Sequence, residues 1–342
     1  MTDAHRDGID GWAGDAWRRE AIAWIDRQLD EAGLKRTGDV EQPRIRPWGT
    51  LLTVPTSRGR YWLKATAPET AFEVAISPLL HRAAPESVLE PLATDAERGW
   101  ILLPDGGRHL TDVVTGSALV PAMATAMARY GELQRRLAPE ADVLITLGVA
   151  DMRPAGMRHR FEEALALARE HVDRHGTDDD RRTLARIEAA REAFAATCDR
   201  LAASPVPPSL DHNDLHPRNV LVRDAGGIDG ARFFDWGDSV VAHPFASMLV
   251  PLRSMQVELG VRPDDPALLT IRDAYLEVFG DLGSRETLVE ELELACHVGK
   301  VARSLVWHRA LALLGDEGHD FASAPFEWLS EVLAESYLGS LD

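Results

Sequence analysis

The spacing of apolar residues changes along the chain, and the change divides it. Trp17, Ala21, Trp24, Ile25 and Leu29 recur at helical intervals and predict a helix over 15–32, stopped by Gly33. The runs TLLTVPT and RYWLKAT read as strands joined at SRG, a hairpin signal. Helical spacing returns over 69–82 through Phe72, Ala75, Ile76 and Leu79. VLEPLAT and GWILLP then read as two further strands about the turn DAERG. This order of strands and helix ends near Pro104 and predicts a small α+β unit.

After PDGG the pattern is helical. Val120, Met123, Met127, Tyr130 and Leu137 form one stripe, and Phe161, Leu165, Ala168 and Val172 another. The segment 181–203 predicts a third helix, broken by SPVPPS, with the run TDDDRR as its solvated start. A short strand-rich island follows at about 209–236. Leu288, Leu292, Ala295, Ala302, Val306 and Leu313 then predict one long helix. No internal repeat or low-complexity tract interrupts this plan.

Composition narrows the function classes. The chain has 342 residues, 45% of them hydrophobic and 27% charged, enough for a sizeable core. A net charge of -18 argues against nucleic acid and against an anionic membrane surface as partners. It suits a cationic ligand, and equally simple solubility. Cys198 and Cys296 form no CxxC pair, and Cys198 falls on an apolar stripe, so a zinc or redox motif is not expected. The opening MTDAHRDGIDGWAGD has no apolar signal core, and no window is apolar enough to span a bilayer; a cytoplasmic location is expected.

The island carries the chemistry. In HNDLHPRNVLV, Asp214 and Asn219 lie five residues apart on a loop that enters the strand VLV. Asp235 follows a second apolar run, ARFF, after the turn DAGGIDG. Two short strands joined by a turn would bring a carboxylate, a carboxamide and a second carboxylate to one edge. Such oxygen ligands suit Mg²⁺, which takes few protein ligands and completes its shell with phosphates and water. Phosphoryl transfer needs in-line positioning, charge neutralisation and an acceptor for the hydroxyl proton. Asp214 fits the base, and Asn219 and Asp235 the metal ligands. Lys64 in YWLKA would reach the α- and β-phosphates of a nucleotide. Glu73 on the next helix would orient it, in preference to Glu69 at the helix start. His212 is expected to brace the loop, and His216 to approach the γ-phosphate. Asp238 reads as a supporting acid or a solvated turn residue, and Trp48 and Trp236 as cleft neighbours.

HNDLHPRN matches H-x-D-x-x-x-x-N, and DWGD stands sixteen residues after Asn219, where kinase-like chains carry D-F-G. With its histidine two places after the aspartate, and with FFDWGD and a following HPF, the chain resembles the aminoglycoside phosphotransferase and choline kinase branch of the protein-kinase-like superfamily. The resemblance covers most of the chain in order. It implies a bilobal α+β fold, with a small β-rich N-terminal lobe and a large, mainly helical C-terminal lobe. The implied boundaries are 1–104 for nucleotide binding and 105–342 for catalysis and acceptor binding. It implies ATP or GTP as co-substrate, Mg²⁺, and contacts to nucleotide from Leu103 and Asp105 in the hinge LLPDGG. The phosphate-covering hairpin RPWGTLLTV departs from the glycine-rich pattern with Gly49 alone, leaving Thr50 and nearby N–H groups as candidates. A protein kinase is disfavoured, since HPFASMLVPL lacks the A-P-E signal.

The implied acceptor is a small hydroxylated molecule. An antibiotic is expected, as an aminoglycoside, a peptide antibiotic or a sugar-bearing nucleoside, with a macrolide as a further alternative. The alternatives are a metabolic acceptor of choline, amino-sugar or homoserine type, and a non-catalytic nucleotide binder. Asp264, Asp265, Glu290, Glu291 and Glu293 are candidates to meet amines.

Overall fold

The computed structural model describes residues 8–222, 228–314 and 321–339. The opening segment before Gly8 and most of the turn DAGGIDG lie outside the described residues.

A short helix α1 (Gly8–Ala13) leads into α2 (Asp15–Glu31), whose predicted stripe from Trp17 to Leu29 is buried. Five antiparallel strands follow: β1 (Glu41–Arg46), β2 (Gly49–Thr56), β3 (Gly59–Thr66), β4 (Ala93–Asp95) and β5 (Trp100–Pro104), in the order β1-β2-β3-β5-β4. Side chains alternate across a strand. Leu52 and Val54 of β2, and Leu63 and Ala65 of β3, therefore bury against α2 together with Trp17, Trp24 and Trp100. Lys64 lies opposite Leu51 and Ile101 in register, on the other face of the sheet. Between β3 and β4 runs α3 (Phe72–Ala83), whose Phe72, Ile76, Leu79 and Leu80 join a second, larger core.

Two strand expectations are corrected. β1 has the polar sequence EQPRIR and a largely exposed edge, so its apolar pattern is too weak to read. VLEPLAT contracts to β4, because Pro91 cannot donate to a ladder; Val88 instead makes an isolated bridge to Phe233.

The larger core is helical. After β6 (Arg108–His109) come α4 (Leu119–Leu137), α5 (Ala141–Thr146), β7 (Ala150–Asp151) and α6 (Met157–His175). The expected helix over 181–203 is two helices, α7 (Asp178–Ala189) and α8 (Arg191–Ala202). Thr177 and Asp180 close a capping box at the start of α7, which gives the TDDDRR run its place. The island forms β8 (Ser209–Asp211), β9 (Val220–Val222), β10 (Arg232–Phe233) and β11 (Val240–Ala242). β9 pairs antiparallel with β10 and β6, and β11 lies between β7 and β8. The chain then packs α9 (Leu249–Leu259), α10 (Pro266–Glu277), α11 (Arg285–Ala310) and α12 (Ala324–Ser330). α11 ends before Leu313, which the stripe had included. No helix among the described residues is long and apolar enough to cross a membrane.

One core contact predicts acid lability. His243 is buried; its Nδ1 accepts the Phe245 N–H at 3.3 Å, and its Nε2 lies 3.2 Å from Ser204 Oγ. Burial pushes its imidazole down to about 3. An unfolded histidine takes up a proton near pH 6.5, which the folded chain refuses until far lower pH. Stability should therefore be whole above about pH 6.5 and fall as pH drops below it, by about 1.4 kcal/mol per pH unit from this group. Urea denaturation across that window should show a shallower decline in His243→Gln. An unchanged slope would remove His243 as the cause.

Candidate active site

Lys64 stands at the centre of the site. Its Nζ lies 2.5 Å from Asp235 Oδ1, 2.8 Å from Glu73 Oε1 and 2.6 Å from Glu73 Oε2. Burial pulls the ammonium's pKa down, but the carboxylates of Asp235 and Glu73 together outweigh it, and Lys64 stays charged. Asp235 also meets a burial penalty; attraction and a hydrogen bond from Lys64 overcome it and hold the carboxyl down at about 2. Glu73 ties the lobes: it binds Lys64 of β3 and accepts the Trp236 N–H at 3.1 Å. Glu69 takes no part in this set. Asp235 itself adopts φ +68°, a left-handed conformation uncommon outside glycine, just beyond the end of β10.

The loop after β8 supplies the second half. His212 is buried and its Nε2 lies 2.9 Å from Phe234 O, so it braces the segment that leads to Asp235. Asn219 Nδ2 donates to Asp214 O at 2.8 Å and lies 3.3 Å from Asp214 Oδ2. Burial pushes the Asp214 carboxyl up to about 6, against the pull of Arg303, whose Nη2 donates to Asp214 Oδ1 at 2.6 Å. His216 Nε2 lies 3.6 Å from Asp214 Oδ2, while its Nδ1 accepts the Arg218 N–H.

A cavity of about 160 Å³ opens beside Lys64. Glu73, Asp235, Leu103 and Asp105 line it, with apolar walls from Leu51, Leu89, Leu221 and Phe234. Gly49 and Thr50 do not: the buried Thr50 hydroxyl donates to Arg44 O at 2.8 Å and accepts from Gln42 Nε2 at 2.9 Å. A Cβ at Gly49 would come within 2.6 Å of Ala65 O, so this glycine serves the close approach of β2 to β3. From that hairpin Arg44 and Leu51 face the cavity instead. Trp48, in the turn between β1 and β2, packs edge-on against Trp307 and Phe321, whereas Trp236 is buried against His212.

Sequence reasoning missed Arg303 and Arg309. Arg303 lies on α11 and bonds Asp214, Asp238 and Asn213 O; Arg309 donates to Gly237 O at 3.0 Å. Lys64 and Arg303 thus meet four carboxylates, Glu73, Asp214, Asp235 and Asp238, and Arg44 and Arg309 lie beside them. The oxygen donors of Asp235 and Asn219 suit Mg²⁺, which takes few protein ligands and draws the rest from phosphates and water. No group of three or more His, Cys, Asp or Glu side chains among the described residues could hold a metal without other donors.

Residues 52–281 match the model of the phosphotransferase enzyme family. The chain belongs to that family. This phosphotransferase also superposes on solved structures. One is an ethanolamine kinase from Plasmodium vivax, with a TM-score of 0.60 and 14% identity, covering 89% of this chain and 83% of that one. Another is a choline kinase from Cryptosporidium parvum, with a TM-score of 0.60 and 13% identity over 92% and 94%. A type I macrolide 2'-phosphotransferase gives 0.53 and 14% over 91% and 96%. A spectinomycin phosphotransferase solved with ADP and spectinomycin gives 0.51 and 13% over 92% and 96%. At such identities the likeness is one of fold, a bilobal protein-kinase-like fold. No curated protein matches in sequence. The phosphotransferase is an enzyme of the small-molecule kinase type, as its family places it.

Proposed function

We propose that this phosphotransferase moves the γ-phosphoryl group of ATP or GTP onto a hydroxyl of a small molecule, with Asp214 as the base. The observation that carries this reading is the pair of clusters Lys64–Glu73–Asp235 and Asp214–Asn219, each held by contacts of 3.3 Å or less, with Asp235 near enough to help raise the Asp214 pKa. Residues 1–104 would form the nucleotide lobe and 105–342 the catalytic and acceptor lobe. The base of the nucleotide would sit between Leu51, Leu103 and Leu221, and Lys64 would hold its α- and β-phosphates. Asn219 and Asp235 would hold Mg²⁺, which neutralises charge on the transferring phosphates. Asp214 would take the proton of the attacking hydroxyl, and its elevated pKa suits it to hold that proton. His216, whose Nε2 lies 3.6 Å from Asp214 Oδ2, would approach the γ-phosphate.

For the acceptor we favour an antibiotic hydroxyl over a metabolic one, and a neutral carrier over a polycation. Four of the five acids expected to meet amines have other partners, and Glu293 lines a separate cavity with Asp264. Glu290 pairs with Arg200, Glu291 accepts from Ser204, Asp264 pairs with Arg262, and Asp265 caps α10. The cavity of about 360 Å³ between α6 and α11 is lined instead by His171, His175, His308 and Arg174, with Glu170 already paired to Arg174. The intact polar set speaks against a non-catalytic nucleotide binder.

A turnover screen tests this reading: ADP release with MgATP over aminoglycosides, macrolides, nucleoside antibiotics, choline and amino sugars. A neutral sugar-bearing antibiotic is expected to respond, with a KM that changes little with salt. Exposed charge pairs are screened within about 8 Å at physiological ionic strength, so a steep salt dependence would point to a polycation and contradict that choice. Response to choline or an amino sugar alone would favour the metabolic alternative.

A further inference from the structure

Arg303 is a buried guanidinium on the inward face of α11, only 6% exposed. Such a charge is costly unless it is paired and hydrogen-bonded. Its Nη2 donates to Asp214 Oδ1 at 2.6 Å, and its Nη1 donates to Asp238 Oδ2 and to Asn213 O, each at 2.7 Å. The planar fork lies over Trp307 and Trp328, with the guanidinium carbon 5.4 Å and 5.7 Å from their ring centroids. Burial pulls its pKa down, but Asp214 and Asp238 raise it overall. The arrangement reaches into the backbone as well: Asn213 adopts φ +61°, and its carbonyl meets Arg303. Asparagine tolerates this conformation better than most residues.

We infer that Arg303 is a positioning residue for phosphoryl transfer: it fixes the Asp214 carboxylate and its loop for proton acceptance and holds Asp238 beside it. This rests on the proposed role of Asp214. The carboxylate has Arg303 on Oδ1 and Asn219 and His216 near Oδ2, so its rotamer is set from both sides. Without a cation there, Asp214 and Asp238 would face each other in a desolvated loop, and the αL turn at Asn213 would lose a hydrogen bond. A base misplaced by about 1 Å costs roughly 10²-fold in rate. The nucleotide cavity does not include Arg303, so nucleotide affinity should be spared. Lysine cannot reproduce the result fully, because it is a point donor and not a rigid fork.

The test compares wild type, Arg303→Lys, Arg303→Met and Arg303→Ala by kcat and KM for MgATP, using water or any responding alcohol as acceptor. We expect Arg303→Ala to lower kcat about 10²-fold while KM for MgATP stays close to wild type. Guanidinium should restore part of that loss, and urea, of the same shape without charge, should restore none. Arg303→Lys should lie between wild type and Arg303→Met. Should the alanine variant not fold, the Lys-over-Met order decides the question. Unchanged kcat in Arg303→Ala, a loss that guanidinium leaves in place, or equal Lys and Met variants would overturn the inference. Wild type without ATP turnover would instead count against the proposed function.

Discussion

Asp214→Ala should lose phosphoryl transfer by about 10²-fold or more and still bind nucleotide. The carboxylate is absent from the lining of the nucleotide cavity, and Lys64, Glu73 and Asp235 keep their contacts without it. The fold should survive, because Arg303 retains Asp238 and Asn213 O. Asp214→Asn keeps the shape but removes the basic oxygen and the charge that faces Arg303, so it should be nearly as slow. Titration calorimetry with a non-hydrolysable ATP analogue, beside a turnover assay, checks both halves. Near-normal turnover in either variant would take the base role from Asp214.

Asp235→Asn should have the larger effect, and a different signature. It removes a ligand charge from the proposed metal site and one partner of the buried Lys64. Loss of metal-mediated charge stabilisation worth several kcal/mol corresponds to roughly 10³-fold in turnover. Here binding of MgATP should weaken together with kcat, in contrast to Asp214→Ala. Asparagine can still accept from Lys64, which limits the structural cost of breaking a buried pair, otherwise about 3–5 kcal/mol. Wild-type turnover should also stop in excess chelator. Persistence of activity under chelation, or a variant that binds MgATP normally, would contradict the assignment.

The helices with strong apolar stripes were legible to within a few residues: Asp15–Glu31, Phe72–Ala83 and Met157–His175 all carry the face their spacing predicts. The break at Ala190 was not, because Leu184, Ile187, Phe194, Cys198 and Leu201 stay in phase across it and no Gly or Pro marks it. β1 was hidden for the opposite reason, since an edge strand with Pro43 needs little apolar patterning. Of the candidate residues, Asp214 and Asn219 were readable as neighbours from their spacing on one loop, whereas the meeting of Lys64, Glu73 and Asp235 needs the fold to bring strand β3, helix α3 and the loop after β10 together. Arg303 was not readable. It is 89 residues from Asp214, and a buried cation on a helix signals a partner without naming it. Thr50 shows the limit of inference by position: β2 alternation turned it into the sheet and left Leu51 on the cavity side.

The most direct measurement is mass spectrometry of a responding alcohol after incubation with MgATP, with ADP quantified in the same sample. The account predicts that the alcohol gains the mass of one HPO₃ in step with ADP, and that Asp214→Ala slows both by about 10²-fold or more. ADP formed with every offered alcohol left unmodified, or a mass gain at near wild-type rate in Asp214→Ala, would contradict it.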